Sequence, residues 1–475
     1  MMINVETLKR KIAILAIKGK LTKSYSDDTG EDLYKKILIN KNSKKIKNNL
    51  LNNIPFEIPD NWIWCNLCNI ATIVVGATPS TANSQYWTNG TIYWIPSGCC
   101  HDCVITPDAK GIKKITKLGY ENCSTTLMES DTTLLALTGA TAGRVGYLTF
   151  EACANQSVVG IKGDALINPK FLYYTFFARK NEILGDCVGS AQPHFSKDYV
   201  TKMLFPLPPH KEQCSIVRLL DEIFAELDKI DEKQTRLATI QEKMEAKILK
   251  LAIQGKLVKQ RPEEGTGEEL FKLIQQEKQE LIKQGKIKKE KLLPAIEDCE
   301  IPFDIPAAWK WVRWGELSFS IQYGFNAPAK ESGRVKMVRI SDIQDEKVMW
   351  ETVPYCDISE DEIPNYLLKE NDILFARTGG TVGKSYIVRY VNEDSIYAGY
   401  LIRTQYSEKL SPMYLKFFMN TSLYWRQLRD GTTSTAQPNC NGKTLSKMVL
   451  PLPPLEEQRR IVAKIEELLP LCNLL

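Results

Sequence analysis

Apolar side chains recur in alternating steps of four and three through one long stretch in the middle of the chain. They are Ile216, Leu220, Ile223, Leu227, Ile230, Leu237, Met244, Ile248 and Leu251, and Gln234 and Gln241 fill the two steps otherwise skipped. This is a heptad pattern, which packs one side of a helix against a partner helix. Residues 211–254 contain no Pro and no Gly, and Pro206-Leu207-Pro208-Pro209 stands just before them. At 1.5 Å per residue a helix over 216–251 is about 54 Å long. That is too long for one compact core and predicts a strut with a body on each side.

Away from the strut the pattern changes to short β-like runs. Those at 91–95, 133–137, 144–150 and 158–162 predict strands before it, and those at 335–340, 372–376 and 384–391 predict strands after it. Proline opens two helical stretches, 169–181 and 412–429. The two bodies, 54–205 and 301–450, read as α+β or mainly β.

The bodies and the strut are copies of one another. Lys202-Met203 and Pro206-Leu207-Pro208-Pro209 recur as Lys447-Met448 and Pro451-Leu452-Pro453-Pro454. Glu212-Gln213 and Ile216-Val217 recur as Glu457-Gln458 and Ile461-Val462. Ala191-Gln192-Pro193 matches Ala436-Gln437-Pro438, and Thr138-Gly139, Thr141 and Gly143 match Thr378-Gly379, Thr381 and Gly383. Trp62 and Trp64 match Trp309 and Trp311, pairs expected in the core and not as base-stacking platforms. At the termini, Ala16-Ile17-Lys18-Gly19-Lys20-Leu21 matches Ala252-Ile253-Gln254-Gly255-Lys256-Leu257. The N-terminal segment therefore repeats the second half of the strut and the C-terminal segment repeats the first half. Together the two ends form a second, broken copy, with Leu8, Ile12 and Leu15 continuing a seam begun by Ile461, Ile465 and Leu468. A buried seam needs a partner, and the broken copy is the natural partner of the intact one. Two pseudo-equivalent bodies in a near-closed ring, joined by an antiparallel helical stalk, are expected, with Pro470 disturbing the broken arm near its gap.

Length and composition fit this picture. A chain of 475 residues should hold more than one domain, and 43% apolar with 25% charged residues is ordinary for a soluble globular protein. A net charge of +5 leaves room for a basic surface on one face. Lysines precede each body, Lys41, Lys44, Lys45 and Lys47 before the first and Lys283, Lys286, Lys288, Lys289 and Lys291 before the second. Such a run reads as a solvated face or as phosphate contacts, and its repetition favours the second. The apolar run at 12–17 is too short for a secretory or spanning segment, so a cytoplasmic chain with no membrane contact is expected. The 13 cysteines are expected to be reduced thiols. Cys65, Cys68, Cys99, Cys100, His101 and Cys103 could be read as zinc ligands. Arg313 and Gly315 stand near the equivalent place in the second half, so the fold does not depend on a metal there, and none is expected.

Catalytic patterns are missing. None of the 3 histidines, His101, His194 and His210, sits with a duplicated nucleophile or carboxylate. No amino-methyltransferase motif and no Gly-x-Gly-x-x-Gly after a strand occur. The stretch from Thr378 to Ser385 approaches a phosphate loop but has Thr378 where the first Gly belongs, and a strand is predicted after it. It reads as a glycine-rich turn between strands.

A Gln-Pro element, then Pro-Leu-Pro-Pro, Glu-Gln and a long helix, together with a Thr-Gly-x-Thr-x-Gly turn, occurs twice in one order. In this the chain resembles the specificity subunits of type I restriction–modification systems over nearly its whole length. The resemblance implies a fold of α+β class, with two pseudo-equivalent α/β target-recognition domains joined by a long antiparallel coiled-coil stalk. The segments would be an N-terminal helical segment and basic linker (1–53), the first recognition domain (54–205), a central helical region and linker (206–300), the second recognition domain (301–450) and a C-terminal helical segment (451–475). It implies a non-catalytic subunit in which each domain reads one half of a split, asymmetric double-stranded DNA target. The helices would set the unread spacer and dock methyltransferase (M) subunits, with restriction/translocase (R) subunits joining through them. S-adenosylmethionine, ATP and Mg would belong to those partners and no cofactor to this chain. The C-terminal helix is short for the family, and the N-terminal segment supplies the remainder.

Base edges are read mostly by Arg, Lys, Asn and Gln. The candidates are Lys113, Lys114, Arg144, Gln156, Gln192 and His194 in the first body, and Gln322, Asn326, Lys330, Arg334, Arg339, Lys384 and Gln437 in the second. Each is also readable as an ordinary surface or turn residue, and Gln192 and Gln437 as braces of the turn into the stalk. Two other functions fit less of the pattern. A stand-alone DNA- or RNA-binding regulator would have a wholly charged outer stalk, and an enzyme with degenerate motifs would act by itself.

Overall fold

The computed structural model describes residues 2–22, 28–41, 54–185, 194–344, 346–391, 393–431 and 440–473. The chain divides into two units, Met1–Thr235 and Arg236–Leu475. The boundary falls inside one helix, His210–Ile253, which covers the predicted heptad stretch.

In the first unit a five-stranded sheet has the order Ala71–Val75, Val158–Gly163, Thr132–Ala136, Val145–Leu148, Cys103–Ile105. A three-stranded sheet has the order Lys113–Ile115, Ile92–Ile95, Cys153–Ala154. A ribbon pairs Ile63–Asn66 with Leu204–Leu207, Trp64 facing Pro206, and so closes the body where it enters the long helix. The second unit repeats the frame. Its four-stranded sheet has the order Ser318–Tyr323, Leu401–Tyr406, Ile373–Ala376, Ser385–Ile387, and its three-stranded sheet the order Tyr355–Cys356, Val335–Val338, Ser395–Tyr397. The closing ribbon pairs Lys310–Arg313 with Val449–Leu452, Trp311 facing Pro451. Trp62, Trp64 and Trp309 are buried in these junctions.

The two proline-led helices are shorter than their sequence pattern. The first is Pro169–Ala178, followed by Lys180–Gly185; the second is Pro412–Met419, followed by Ser422–Gly431. In the second case Thr421 stops the run. Its hydroxyl accepts from Tyr424 N (3.3 Å), an N-cap that starts a new helix.

The duplicated Glu-Gln pair locks each long helix to its body. Gln213 is fully buried; its Nε2 donates to Pro208 O (3.0 Å) and its Oε1 accepts from Asn168 N (2.8 Å) at the start of helix Pro169–Ala178. Gln458 repeats both bonds, to Pro453 O (2.9 Å) and from Ser411 N (3.0 Å). Glu212 accepts from Asn61 Nδ2 (3.1 Å), and Glu457 from Trp309 Nε1 (2.8 Å). Burial raises the Glu457 carboxyl above its ordinary value, against the pull of the Trp309 and Gln260 donors.

The terminal helices pair antiparallel with the long helix inside their own units. Val5–Ile17 lies along its first half, with Ile3 N donating to Gln234 Oε1 (2.7 Å), Gln234 Nε2 donating back to Ile3 O (3.1 Å), and Lys9 paired with Asp228. Leu455–Cys472 lies along the second half, where Leu249 and Ala252 pack with Ile461 and Ile465. Two expectations need correction. Leu15 is exposed, and Ala13, Ala16 and Ile17 are buried instead, because this helix also packs on Pro169–Ala178, where Arg10 donates to Phe177 O (2.6 Å). Pro470 falls in the last turn of Leu455–Cys472, so the helix runs past it to its end. On the long helix the heptad positions Ile230 and Met244 stand exposed, since covering helices of 13 and 18 residues face one of 44.

Two helices were missed in the linkers, Gly30–Asn40 and Gly267–Lys283. Their caps were readable. Thr29 accepts from Asp32 N, and Thr266 forms a capping box with Glu269. Each opens on a glycine pressed against the closing ribbon: a Cβ on Gly30 would lie 2.1 Å from Leu207 O, and one on Gly267 2.1 Å from Leu452 O. Gly267→Ala should therefore push the helix off the ribbon and cost about 3 kcal/mol. Gly98→Ala, which would place a Cβ in open space, should change stability by less than about 0.5 kcal/mol. Urea denaturation of both variants compares them, and equal midpoints would refute the close approach.

Candidate nucleic-acid interface

The Thr-Gly-x-Thr-x-Gly turn joins two neighbouring strands at one end of the main sheet in each unit. In the first unit Gly139 and Gly143 have φ of 69° and 74°; in the second Gly379 and Gly383 have 76° and 88°. These are left-handed conformations that favour glycine. The hydrogen bonds around the turn are duplicated as well. Gly143 N donates to Ala136 O (2.9 Å) and Gly383 N to Ala376 O (2.9 Å). Ala136 N donates to Arg144 O (3.0 Å) and Ala376 N to Lys384 O (2.9 Å). A strand, Ser385–Ile387, and no helix follows Lys384, so the phosphate-loop geometry is not formed.

This sheet end gathers part of the predicted set. In the first unit Arg144 closes the turn. Exposed Gln156 precedes strand Val158–Gly163, where its Oε1 accepts from the Thr78 hydroxyl. His194 is bridged to Thr138. Lys113 and Lys114 stand elsewhere, on the edge strand of the smaller sheet. Lys113 Nζ lies 5.7 Å from the Trp87 ring centre and Lys114 Nζ 4.5 Å from that of Tyr93. Both lysines are exposed, with aromatic faces beneath them. In the second unit Lys384 and Asn326 are exposed at the same sheet end, Asn326 lying against Gly399.

Other predicted residues are engaged within the protein. Gln322 Oε1 accepts from Arg403 Nη2 (2.7 Å), and Arg403 is buried beside Asp372 (3.5 Å). Burial raises the Asp372 carboxyl in spite of that guanidinium. Arg339 donates from Nε and Nη2 to the buried Asp342 carboxylate (3.0 and 2.8 Å), which raises its own pKa further. Lys330 and Arg334 are exposed and paired with Asp357 and Glu360. Gln192 and Gln437 lie outside the described residues, as do Lys44, Lys45 and Lys47. Lys286, Lys288, Lys289 and Lys291 are exposed.

Three residues of this sheet end escaped sequence reasoning: Arg377, Tyr323 and Tyr400. Arg377 Cζ lies 4.7 Å from the Tyr323 ring centre, and both tyrosines are exposed. The available signal was position, since Arg377 directly precedes the Thr378-Gly379 turn. The cysteines separate into different cores, Cys65 in the body's main core and Cys99 and Cys100 in another. Burial pushes the Cys153 thiol up to about 11 and Cys440 to about 12. Among the described residues no group of three or more His, Cys, Asp or Glu side chains is placed to hold a metal, and no helix is long and apolar enough to cross a membrane.

A family model for the type I restriction modification DNA specificity domain matches residues 59–241 and again 309–474. The chain belongs to this family. The first match runs into the helix His210–Ile253 and the second spans the helix Leu455–Cys472, so each matched segment contains a body and a helical arm. The specificity subunit of the EcoAI type I restriction enzyme of Escherichia coli is 26% identical, over 99% of this chain and 90% of that one. The EcoEI specificity subunit of the same organism is 24% identical over the same shares. A solved structure described as the basis of complex assembly and conformational transition of the type I R-M system aligns with a TM-score of 0.58 at 18% identity, covering 88% of this chain and 93% of that one. The specificity family thus accounts for the duplicated frame: one module, present twice, with mixed helix and sheet in each copy.

Proposed function

We propose that this chain is the DNA-reading subunit of a type I restriction–modification complex and performs no chemistry itself. Each body, 54–205 and 301–450, reads one half of a split, asymmetric target. The central region, 206–300, and the terminal segments, 1–53 and 451–475, form an antiparallel coiled-coil stalk that sets the spacer and docks methyltransferase subunits. Restriction subunits join through those, and S-adenosylmethionine, ATP and magnesium act in the partners.

One observation carries this reading. Two specificity modules share a backbone frame down to single hydrogen bonds around the Thr-Gly turn, while the side chains at that sheet end differ: Arg144, Gln156 and His194 in one, Asn326, Arg377 and Lys384 in the other. These side chains differ in burial as well as in type, Arg144 and Arg377 being half-buried and the other four exposed, and equal frames with unequal side chains suit two half-sites of different sequence. A stand-alone regulator is disfavoured by exposed Ile230, Ile240 and Met244 on the long helix, apolar surface that partner helices would cover.

Purified alone, the chain is expected to methylate and cleave nothing. Combined with methyltransferase subunits and S-adenosylmethionine, it should direct methylation to one bipartite sequence in a genomic library. Methylation or cleavage by the isolated chain would overturn the proposal, as would a methylated sequence without two separated halves.

A further inference from the structure

The second unit holds an arginine that the first unit lacks, at a position where the two frames coincide. Leu137 N donates to Ser157 O (2.8 Å) and Leu137 O accepts from Phe195 N (3.2 Å). At the same place Arg377 N donates to Tyr400 O (3.1 Å) and Arg377 O accepts from Cys440 N (3.0 Å). The backbone is the same and the side chains are not. Leu137 is buried in the core of its unit. Arg377 instead reaches across the strand Leu401–Tyr406 to lie over the Tyr323 ring, 4.7 Å from its centre. Tyr323 is fixed in turn, because its hydroxyl accepts from Gly442 N (3.0 Å).

Arginine's planar fork carries five N–H donors. Among the described residues no acceptor meets those of Arg377, and its Nε is buried without one. This differs from the other buried or half-buried arginines of the unit. Arg313 is bound by Glu300, Arg339 by Asp342, and Arg403 by Asp372 and Gln322. A guanidinium held over a ring and left without acceptors among the described residues is costly to hold unless a ligand supplies them. The ring holds the guanidinium in place, and the planar fork of an arginine matches a bidentate acceptor pair.

We propose that Arg377, held by Tyr323, is a specificity-determining residue of the second body and reads a guanine through its O6 and N7 edge. The inference rests on the DNA-reading function proposed above and narrows it to one side chain and one base. The two halves of the target then differ in how they are read at this point, since Leu137 offers the first body no donor. Arg377 is joined there by exposed Asn326, Tyr400 and Lys384 at the same sheet end.

The test uses the complex of the full chain with its methyltransferase subunits, bound to a randomised duplex library and sequenced at two salt concentrations. For the wild type, one guanine in the half-site read by the second body is expected to be preferred about tenfold to a hundredfold over other bases. Arg377→Ala should abolish that preference and leave the other half-site unchanged. Arg377→Lys keeps the charge and loses the fork, so it should relax the base preference and preserve the salt dependence. Tyr323→Phe keeps the ring and loses only the tie to Gly442, so it should keep most of the preference; Tyr323→Ala should weaken it further. If Arg377→Lys retains the full preference while Arg377→Ala lowers affinity for all sequences alike, the residue contacts phosphate and the inference falls. It also falls if Arg377→Ala leaves the selected motif unchanged. A wild-type complex that selects no bipartite motif overturns the DNA-reading function itself, and the inference with it. Should Arg377→Ala fold poorly, as judged by its melting curve, the lysine and tyrosine variants still decide the matter.

Discussion

Replacing residues 54–205 with the corresponding body of a relative that reads another target should exchange one half of the modified sequence and leave the other half intact. The graft is physically reasonable because the body closes on itself before it meets the helices. Its first and last strands pair with each other, Ile63 to Leu207 and Asn66 to Leu204, so both cut points lie beside one short ribbon. The contacts holding that ribbon to the helical parts come from duplicated residues. Gly19 packs on Pro59 and Trp62 as Gly255 packs on Pro306 and Trp309, and Gln213 braces its turn as Gln458 does. A graft that retains these residues retains the interface. Each mismatched base pair typically costs about 1–3 kcal/mol in protein–DNA recognition. A half-site changed at two or three positions should therefore lower methylation of the old target by at least about thirtyfold. Methylome sequencing of the hybrid reads both halves together. A hybrid that alters both halves would show that the bodies do not read independently.

The parts of this molecule that were legible from sequence are those set by local period and by repetition. Alternating steps of three and four marked the helix His210–Ile253, and the two copies of Pro-Leu-Pro-Pro marked where each body ends. The strands around the Thr-Gly turn were legible because Val158–Gly163 and Ile373–Ala376 are short, apolar and bounded by turn residues. What was not legible depends on partners distant in sequence. Gln322 and Arg339 have the chemistry of base readers, but Gln322 faces Arg403 across a strand pair, and Asp342 caps the turn that Arg339 begins. Period alone placed Leu15 in a seam. The fold turned it outward because the terminal helix has two neighbours and not one. Arg377 was missed for the opposite reason: its side chain looks like any turn arginine until the lack of acceptors among the described residues around it is known. The linker helices lie beside lysine runs that mark a solvated segment, and only the caps at Thr29 and Thr266 signal them.

Insertion into the long helix between Thr235 and Arg236 should move the two half-sites apart without changing the bases in either. The position is favourable because the helix pairings fall on separate sides of it, Gln234 with Ile3 before it and Leu249 with the Ile461 region after it. The number of residues inserted matters through both rise and rotation. Four residues add about 6 Å and turn the helix by about 40° beyond a full revolution. Along DNA, 6 Å is less than two base pairs, a rotation of about 60° in the same right-handed sense at 10–10.5 base pairs per turn. Body and groove then stay roughly in phase. Seven residues add about 10.5 Å and turn the helix about 20° short of two revolutions, while the DNA turns by about 110° over the same distance. The second body would then face the wrong side of the duplex. A four-residue insertion of helix-forming sequence is therefore expected to give methylation at a target with both halves unchanged and a spacer longer by one or two base pairs. A seven-residue insertion should reduce methylation at every spacer by about a hundredfold or more, the cost of losing one half-site's contacts. Mapping the modified sites of both variants distinguishes the outcomes. Unchanged spacing with four added residues would mean that the helix does not set the distance. Full activity with seven would mean that the bodies are free to turn about the helix and that it acts as a tether and not as a strut.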